Sequence, residues 1–241
     1  MGVSDLMVAA GHSDQPLVLE LAGAHYRPRV GGASITFALD LSLRMGQLVY
    51  LQVDRQRSLP LVGDACCGLI EPARGEARFM GRAWRQQSAE DAAAMRAGIG
   101  RMSRSPTWLP SLTVAENILL AQMHHTRVPR EQLMEQAAAL AGTLALPGLP
   151  LEYPGEVSAI DLNRAAIVRA LMGRPQLLIL ELPDAGDPEV TTRLLDRVLI
   201  AQDQGAAILW LDHRLPRIAR DQVGMTACYR LRRSGELERV A

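Results

Sequence analysis

Few side chains in this chain are placed to do chemistry. Arg55 and Arg57 flank Gln56 in the stretch VDRQRSLP (Val53–Pro60), where they could draw in a phosphate or simply face water in a solvated turn. Glu181 sits near the end of LLILEL (Leu177–Leu182), a carboxylate in otherwise apolar surroundings. His213 follows Asp212 at the end of AAILWL (Ala206–Leu211), and a lone histidine capping a strand says nothing about activity. Three cysteines, Cys66, Cys67 and Cys228, fit neither a disulfide framework nor a metal-ligand spacing. They read as buried thiols in a reducing compartment, and no metal-binding set emerges.

The elements that must hold these residues are clearer. Leu162, Ala165, Ala166, Ile167, Ala170 and Leu171 recur at three- and four-residue spacing, the pattern of a buried helix face over Leu162–Met172. Arg174-Pro175 ends it, since proline restricts the residue before it. LLILEL is then a strand buried on both faces, as in a parallel sheet. Leu17–Leu21, Ile35–Leu43 and Gln47–Val53 read as strands, Gly75–Trp84 as a hairpin, Ala89–Ala97 and Arg130–Leu146 as helices, and Val223–Val240 as strand-like pieces. Thr113 with Glu116 three residues on makes a capping box at the start of another helix. The basic cluster Arg96–Arg104 reads as a solvated helix face.

The order of these pieces resembles the ATP-binding cassette (ABC) ATPases. The matching segments are VSAID (Val157–Asp161), VRAL (Val168–Leu171) and LILELP (Leu178–Pro183), where that family has LSGGQ, ARAL and LLLLDEP. LPSLTVAEN (Leu109–Asn117) matches the family's Q-loop segment, and Cys67-Gly68-Leu69 followed by Pro72 and Gly75 matches what comes after its phosphate-binding helix. The resemblance covers about Leu17 to Val240. It implies an α/β fold of the P-loop NTPase-like ABC type, with a mixed sheet core, an antiparallel β subdomain and a helical subdomain over about 105–170. Residues 1–16 would be an N-terminal arm and 17–241 a single domain.

The resemblance also assigns site positions, and there the letters differ. A phosphate loop needs glycines so that backbone N–H groups can cradle phosphates, a lysine for the β/γ-phosphates and a hydroxyl for Mg²⁺. The aligned positions give Val53 and Ser58 for the glycines, Leu59 for the lysine and Pro60 for the hydroxyl residue. Proline is tolerated in a first helical turn but removes an N–H from an anion-binding terminus. The Q-loop glutamine is Arg104. The signature keeps Ser158 but has Ala159, Ile160 and Asp161 after it; Ile160 is bulky where close backbone approach is needed, and Asp161 would repel a phosphate while suiting a helix start. At the Walker B end, Glu181 could hold a Mg²⁺-bound water, whereas Leu182 cannot act as the general base. His213 stands at the switch position and Asp187 in the D-loop. Tyr26 is the candidate for adenine stacking, or a tyrosine packed under a loop. Trp108 and Leu109 are candidate partner contacts, or a tryptophan packed between subdomains.

The implied function is a degenerate nucleotide-binding-domain subunit of a membrane transporter, inactive as an ATPase, with ATP and Mg²⁺ binding weakened or lost. Its partners would be transmembrane permease subunits and an ABC paralogue or a second copy as dimer partner. HHTRVP (His124–Pro129) and Gly186-Asp187-Pro188 resemble the Mce/maintenance-of-lipid-asymmetry subgroup, which moves phospholipid. The alternatives are an atypical active ATPase using Arg55 or Arg57 with Glu181, and a soluble non-transport ABC protein. Lys+Arg and Asp+Glu are equal at 26 each, so no global field favours nucleic acid. No apolar run reaches the ~18–20 residues that span a bilayer, and the N-terminus lacks a signal pattern. The expected location is cytoplasmic, reaching the membrane through the permease.

Overall fold

Apolar and polar residues alternate along the early strands, and that alternation builds a sheet with one wet face. In the computed structural model, which describes residues 15–181, 188–214 and 223–240, β1 (Leu17–Tyr26) and β4 (Phe37–Arg44) pair antiparallel. Between them β2 (Arg29–Val30) and β3 (Ala33–Ser34) form a small hairpin. Phe37, Leu39, Leu41 and Leu43 of β4 all point inward. β6 (Arg74–Phe79) joins the other edge of β1, followed by β7 (Arg82–Ala83), for an order β4-β1-β6-β7.

The second sheet is fed by continuous apolar runs. β5 (Leu48–Val53), β8 (Ile99–Met102), β9 (Leu177–Glu181), β10 (Ala207–Asp212), β11 (Met225–Leu231) and β12 (Leu237–Arg239) lie in the order β12-β11-β5-β10-β9-β8. All pairings are parallel except β11 with β12. One face, with Val49, Leu51, Val53, Ile179 and Leu209, packs with the antiparallel sheet and α1 (Leu59–Cys66). The other, with Leu48, Tyr50, Leu178, Leu180 and Ile208, is covered by helices.

Those helices are α3 (Val114–His125), α4 (Arg130–Thr143), α5 (Ala159–Leu171) and α6 (Pro188–Asp203), with α2 (Ala89–Arg96) lying earlier in the chain. α3, α4 and α5 pack on one another. α6 buries Val190, Leu194 and Val198 along one stripe, a helix beyond those the sequence reading predicts. α5 starts three residues earlier than its apolar spacing suggests, because Ser158 caps it. Among the described residues no helix is long and apolar enough to cross a membrane. The three cysteines are buried and none forms a disulfide, and burial pushes the Cys67 thiol up to about 11.

Candidate functional site

Parallel register brings four strand ends to one edge. Leu211 pairs with Glu181, Asp212 with Gln52, and Leu231 with Val53. After β5 the chain turns through a 3-10 segment, Gln56–Ser58, into α1. The segment between Val53 and Pro60 therefore has no glycine and no left-handed backbone of the kind that cradles an anion. Val53 is buried at the strand end, Ser58 is buried without capping α1, and Leu59 is fully buried in the core. The lysine-equivalent position thus faces apolar neighbours. Pro60 stands at the second helical position. Asp54 is held to β11 by Arg230, whose Nε donates at 2.9 Å.

The centre of the site is a residue that sequence reasoning misread. Arg101 does not lie on a solvated helix face. It is on β8, its side chain 19% exposed, and its guanidinium fills the space between α1 and β9. Nε donates to Glu181 Oε1 at 2.7 Å, Nη1 to Asp64 Oδ1 at 2.6 Å, and Nη2 to the Pro60 carbonyl at 3.0 Å. Glu181 is fully buried. The helix can approach this closely because residue 63 is glycine: a Cβ there would collide with Glu181 Oε1 and come within 2.6 Å of Arg101 Nη2. Burial pushes the Glu181 carboxyl above its ordinary value, and Arg101 only partly opposes it. The alternation of Ile99–Met102, with Arg101 between inward residues, was the available signal. Arg96, from the same cluster, donates to the Cys67 and Gly68 carbonyls and lies over Trp84.

The other positions divide into those that meet this edge and those that do not. Arg104 reaches it: with the Gln56 amide turned to receive them, Gln56 Oε1 accepts from both Arg104 Nη atoms, Nη2 at 2.9 Å. Arg55 and Arg57 are exposed beside it. His213 follows β10, with its Nδ1 3.1 Å from Asp212 Oδ1. Tyr26 is not available for adenine stacking. It is fully buried and stacked on Phe37 at 5.1 Å between ring centroids, because its strand turns it into the core. Leu182 and Asp187 lie outside the described residues.

At the start of α5, Ser158 Oγ accepts from the Asp161 backbone N–H at 3.1 Å and donates to the Asp161 carboxylate at 2.9 Å. Its hydroxyl is thus occupied by capping. Asp161 also pairs with Arg164 at 3.2 Å. Ala159 and Ile160 are exposed, Ile160 by 60%. On the helical side, Thr113 and Glu116 form the expected capping box. Asn117, from the same LTVAEN stretch, accepts from the Leu109 N–H and donates to the carbonyls of Leu109, Leu112 and Thr113. Trp108 is half-buried with Arg169 over its ring at 4.5 Å, while Leu109 is 46% exposed.

A family profile described as ABC transporter matches residues 62–185, just over half of the chain. The chain belongs to the ABC transporter family. The match begins immediately after the segment where the phosphate loop would stand. Lipoprotein-releasing system ATP-binding protein LolD 1 of Rhodospirillum rubrum is 32% identical over 158 residues, covering 64% of this chain and 69% of that protein. Glutamate/glutamine/aspartate/asparagine transport ATP-binding protein BztD of Rhodobacter capsulatus is 27% identical over 122 residues, 50% of this chain and 46% of that one. The chain spans about half the length of several such curated relatives. An ATP binding subunit of an ABC transporter superposes with a TM-score of 0.77 at 21% identity, over 92% of this chain and 90% of that one. A dimeric bacterial ABC transporter cassette gives 0.76 at 17%, over 93% and 99%. At those identities the likeness carries the ABC ATPase fold.

The residues on this edge do not fit Mg²⁺ and a nucleoside triphosphate. Mg²⁺ requires a near-octahedral set of oxygens. Here Glu181 Oε1 already holds a guanidinium, and Oε2 is buried with no hydrogen-bond partner beside that same cation. Leu59 and Pro60 supply no lysine and no hydroxyl. The Asp54 carboxylate at the start of the turn is turned to Arg230 and not to an open cation site.

Proposed function

We propose that this chain is an ATPase-inactive subunit of an ABC transporter, occupying the nucleotide-binding-domain position beneath transmembrane permease subunits and acting structurally. The observation that carries this reading is the guanidinium of Arg101 bound between Glu181, Asp64 and the Pro60 carbonyl. A resident cation there does what a metal–nucleotide complex would otherwise do, joining the first helix after β5 to the end of β9. Without the lysine, the hydroxyl and a base at Leu182, phosphoryl transfer lacks both charge stabilisation and a positioned water.

Family membership and the names of its relatives, which cover amino-acid transport and lipoprotein release, support a transport system. On the Mce-type resemblance of His124–Pro129 the cargo is a lipid. The location follows from the permease: the inner face of the membrane, held by protein contacts. Leu109, presented by the Asn117-braced turn, and Leu120 and Met123 on α3 are exposed apolar residues suited to that contact.

The test is purification from native membranes in mild detergent. The chain should come with a polytopic permease, and the isolated subunit should show no Mg²⁺-dependent ATP turnover. Turnover abolished by Glu181→Gln would favour the atypical ATPase instead, and recovery without any membrane partner would favour a soluble ABC protein.

A further inference from the structure

A groove lies at the far end of the sheet from the Arg101 cluster. Glu181 and Asp212 end β9 and β10 on the cluster's side, whereas Pro175 and Ala206, just before the other ends of those strands, line a cavity of about 780 Å³. Its walls come from α3, α4, α6 and the turn after α5, with Leu133, Leu140, Leu171 and Ile200 among the apolar residues.

Three polar side chains converge on it. Gln122 lines it at only 7% exposure, and its side-chain amide makes no hydrogen bond with a described residue. Buried amides are as a rule partnered, so one that faces a cavity calls for a polar group inside it. Arg174 and Arg197 line the groove as well, and neither makes a hydrogen bond or ion pair with a described residue. No aspartate or glutamate is among the lining residues, so nothing in the wall answers these two charges. The turn that carries Arg174 is unusual. Gly173 and Arg174 both have left-handed backbone, φ 74° and 54°, a conformation uncommon for arginine. A Cβ at residue 173 would collide with the Gln122 amide, so this glycine lets the turn close over the buried side chain.

We propose that the groove binds a free single-chain amphipathic anion, a long-chain carboxylate. Carboxylate oxygens only accept hydrogen bonds, and Arg174, Arg197 and the Gln122 Nε2 supply donors, two of them charged. The hydrocarbon covers Leu133, Leu140 and Ile200, taking apolar surface out of water at both partners. The cavity volume lies in the range of small-molecule sites, with apolar walls and a few convergent polar groups. None of these residues belongs to the nucleotide edge, so the proposal stands whether or not the chain hydrolyses ATP.

Titration of the purified chain with laurate, held below its micelle concentration, tests this by calorimetry and thermal unfolding. Saturable binding of one laurate per chain is expected, with a rise in melting temperature. Arg174→Gln and Arg197→Gln should each weaken binding roughly tenfold or more, and so should replacing laurate by dodecanol, which keeps the chain and loses the charge. Arg174 is exposed and Arg197 half-buried on α6, and unchanged circular dichroism would confirm that each variant folds. No saturable binding, equal affinity for dodecanol, or binding indifferent to both arginine changes overturns the proposal. Attachment to phosphatidylglycerol vesicles without binding of free laurate also overturns it, assigning the groove to a bilayer surface instead.

Discussion

Arg101 Nη2 stands 2.6 Å from Glu181 Oε1, a cation from β8 against a fully buried carboxylate at the end of β9. The same guanidinium holds Asp64 and the Pro60 carbonyl on α1, so one side chain ties three elements together. In an ABC frame this is the edge that would carry nucleotide.

Removing the cation alone should be costly. Arg101→Met leaves Glu181 buried without its partner, and a loss of about 3 kcal/mol is expected by urea unfolding. Arg101→Met with Glu181→Leu should recover most of it, since a buried pair replaced by apolar residues is often neutral. A double variant as unstable as the single would contradict the account.

Glu181 should leave a pH signature of known sign. Its carboxyl is raised above 4.5 by burial. The stability it contributes is fully present below that ordinary value and is lost as pH rises through the elevated native value. The stability of wild type relative to Glu181→Gln should therefore fall as pH rises above about 4.5, and level off only once the carboxyl is ionised in the native state. A difference that stays flat or rises would refute the direction.

Gly63 is required by the cluster and not by its backbone, which is helical. Gly63→Ala would ordinarily add up to about 1 kcal/mol of helix propensity. Here the methyl group meets Glu181 and Arg101, and a net loss of roughly 1–3 kcal/mol is expected from overpacking. A higher melting temperature for Gly63→Ala would show that the cluster is loose.

Trp108 and Leu109 should separate packing from partner contact. Trp108→Ala removes a ring held under Arg169 and should lower stability by about 2–3 kcal/mol. Leu109→Ser should leave melting nearly unchanged while reducing permease recovery in the membrane pull-down. Equal effects of both on folding would remove Leu109 as a contact.

Much of this fold was legible because its signals are local. LLILEL reads as a buried strand from its letters, and Thr113 with Glu116 announces a helix start. The ABC order of segments is visible even where the site letters are lost. What stayed hidden depends on long-range pairing. Arg101 looks like one more charge between Arg96 and Arg104 until the pairing of β8 with β9 sets it against Glu181, 80 residues on in sequence. Tyr26 looked free for stacking because a strand long enough to bury it, β1 to residue 26, is not marked by its last residues, AGAHY. The stripe of α6, Val190, Leu194 and Val198, is a local signal of the same regular kind.

The measurement that bears most directly on the central claim is calorimetric titration of the purified chain with ATP·Mg²⁺ to millimolar concentration, paired with thermal unfolding at the same concentrations. The account predicts no binding heat and no rise in melting temperature. Saturable binding in the micromolar range, with a matching stabilisation, would contradict it and mean that Arg101 yields the site to nucleotide.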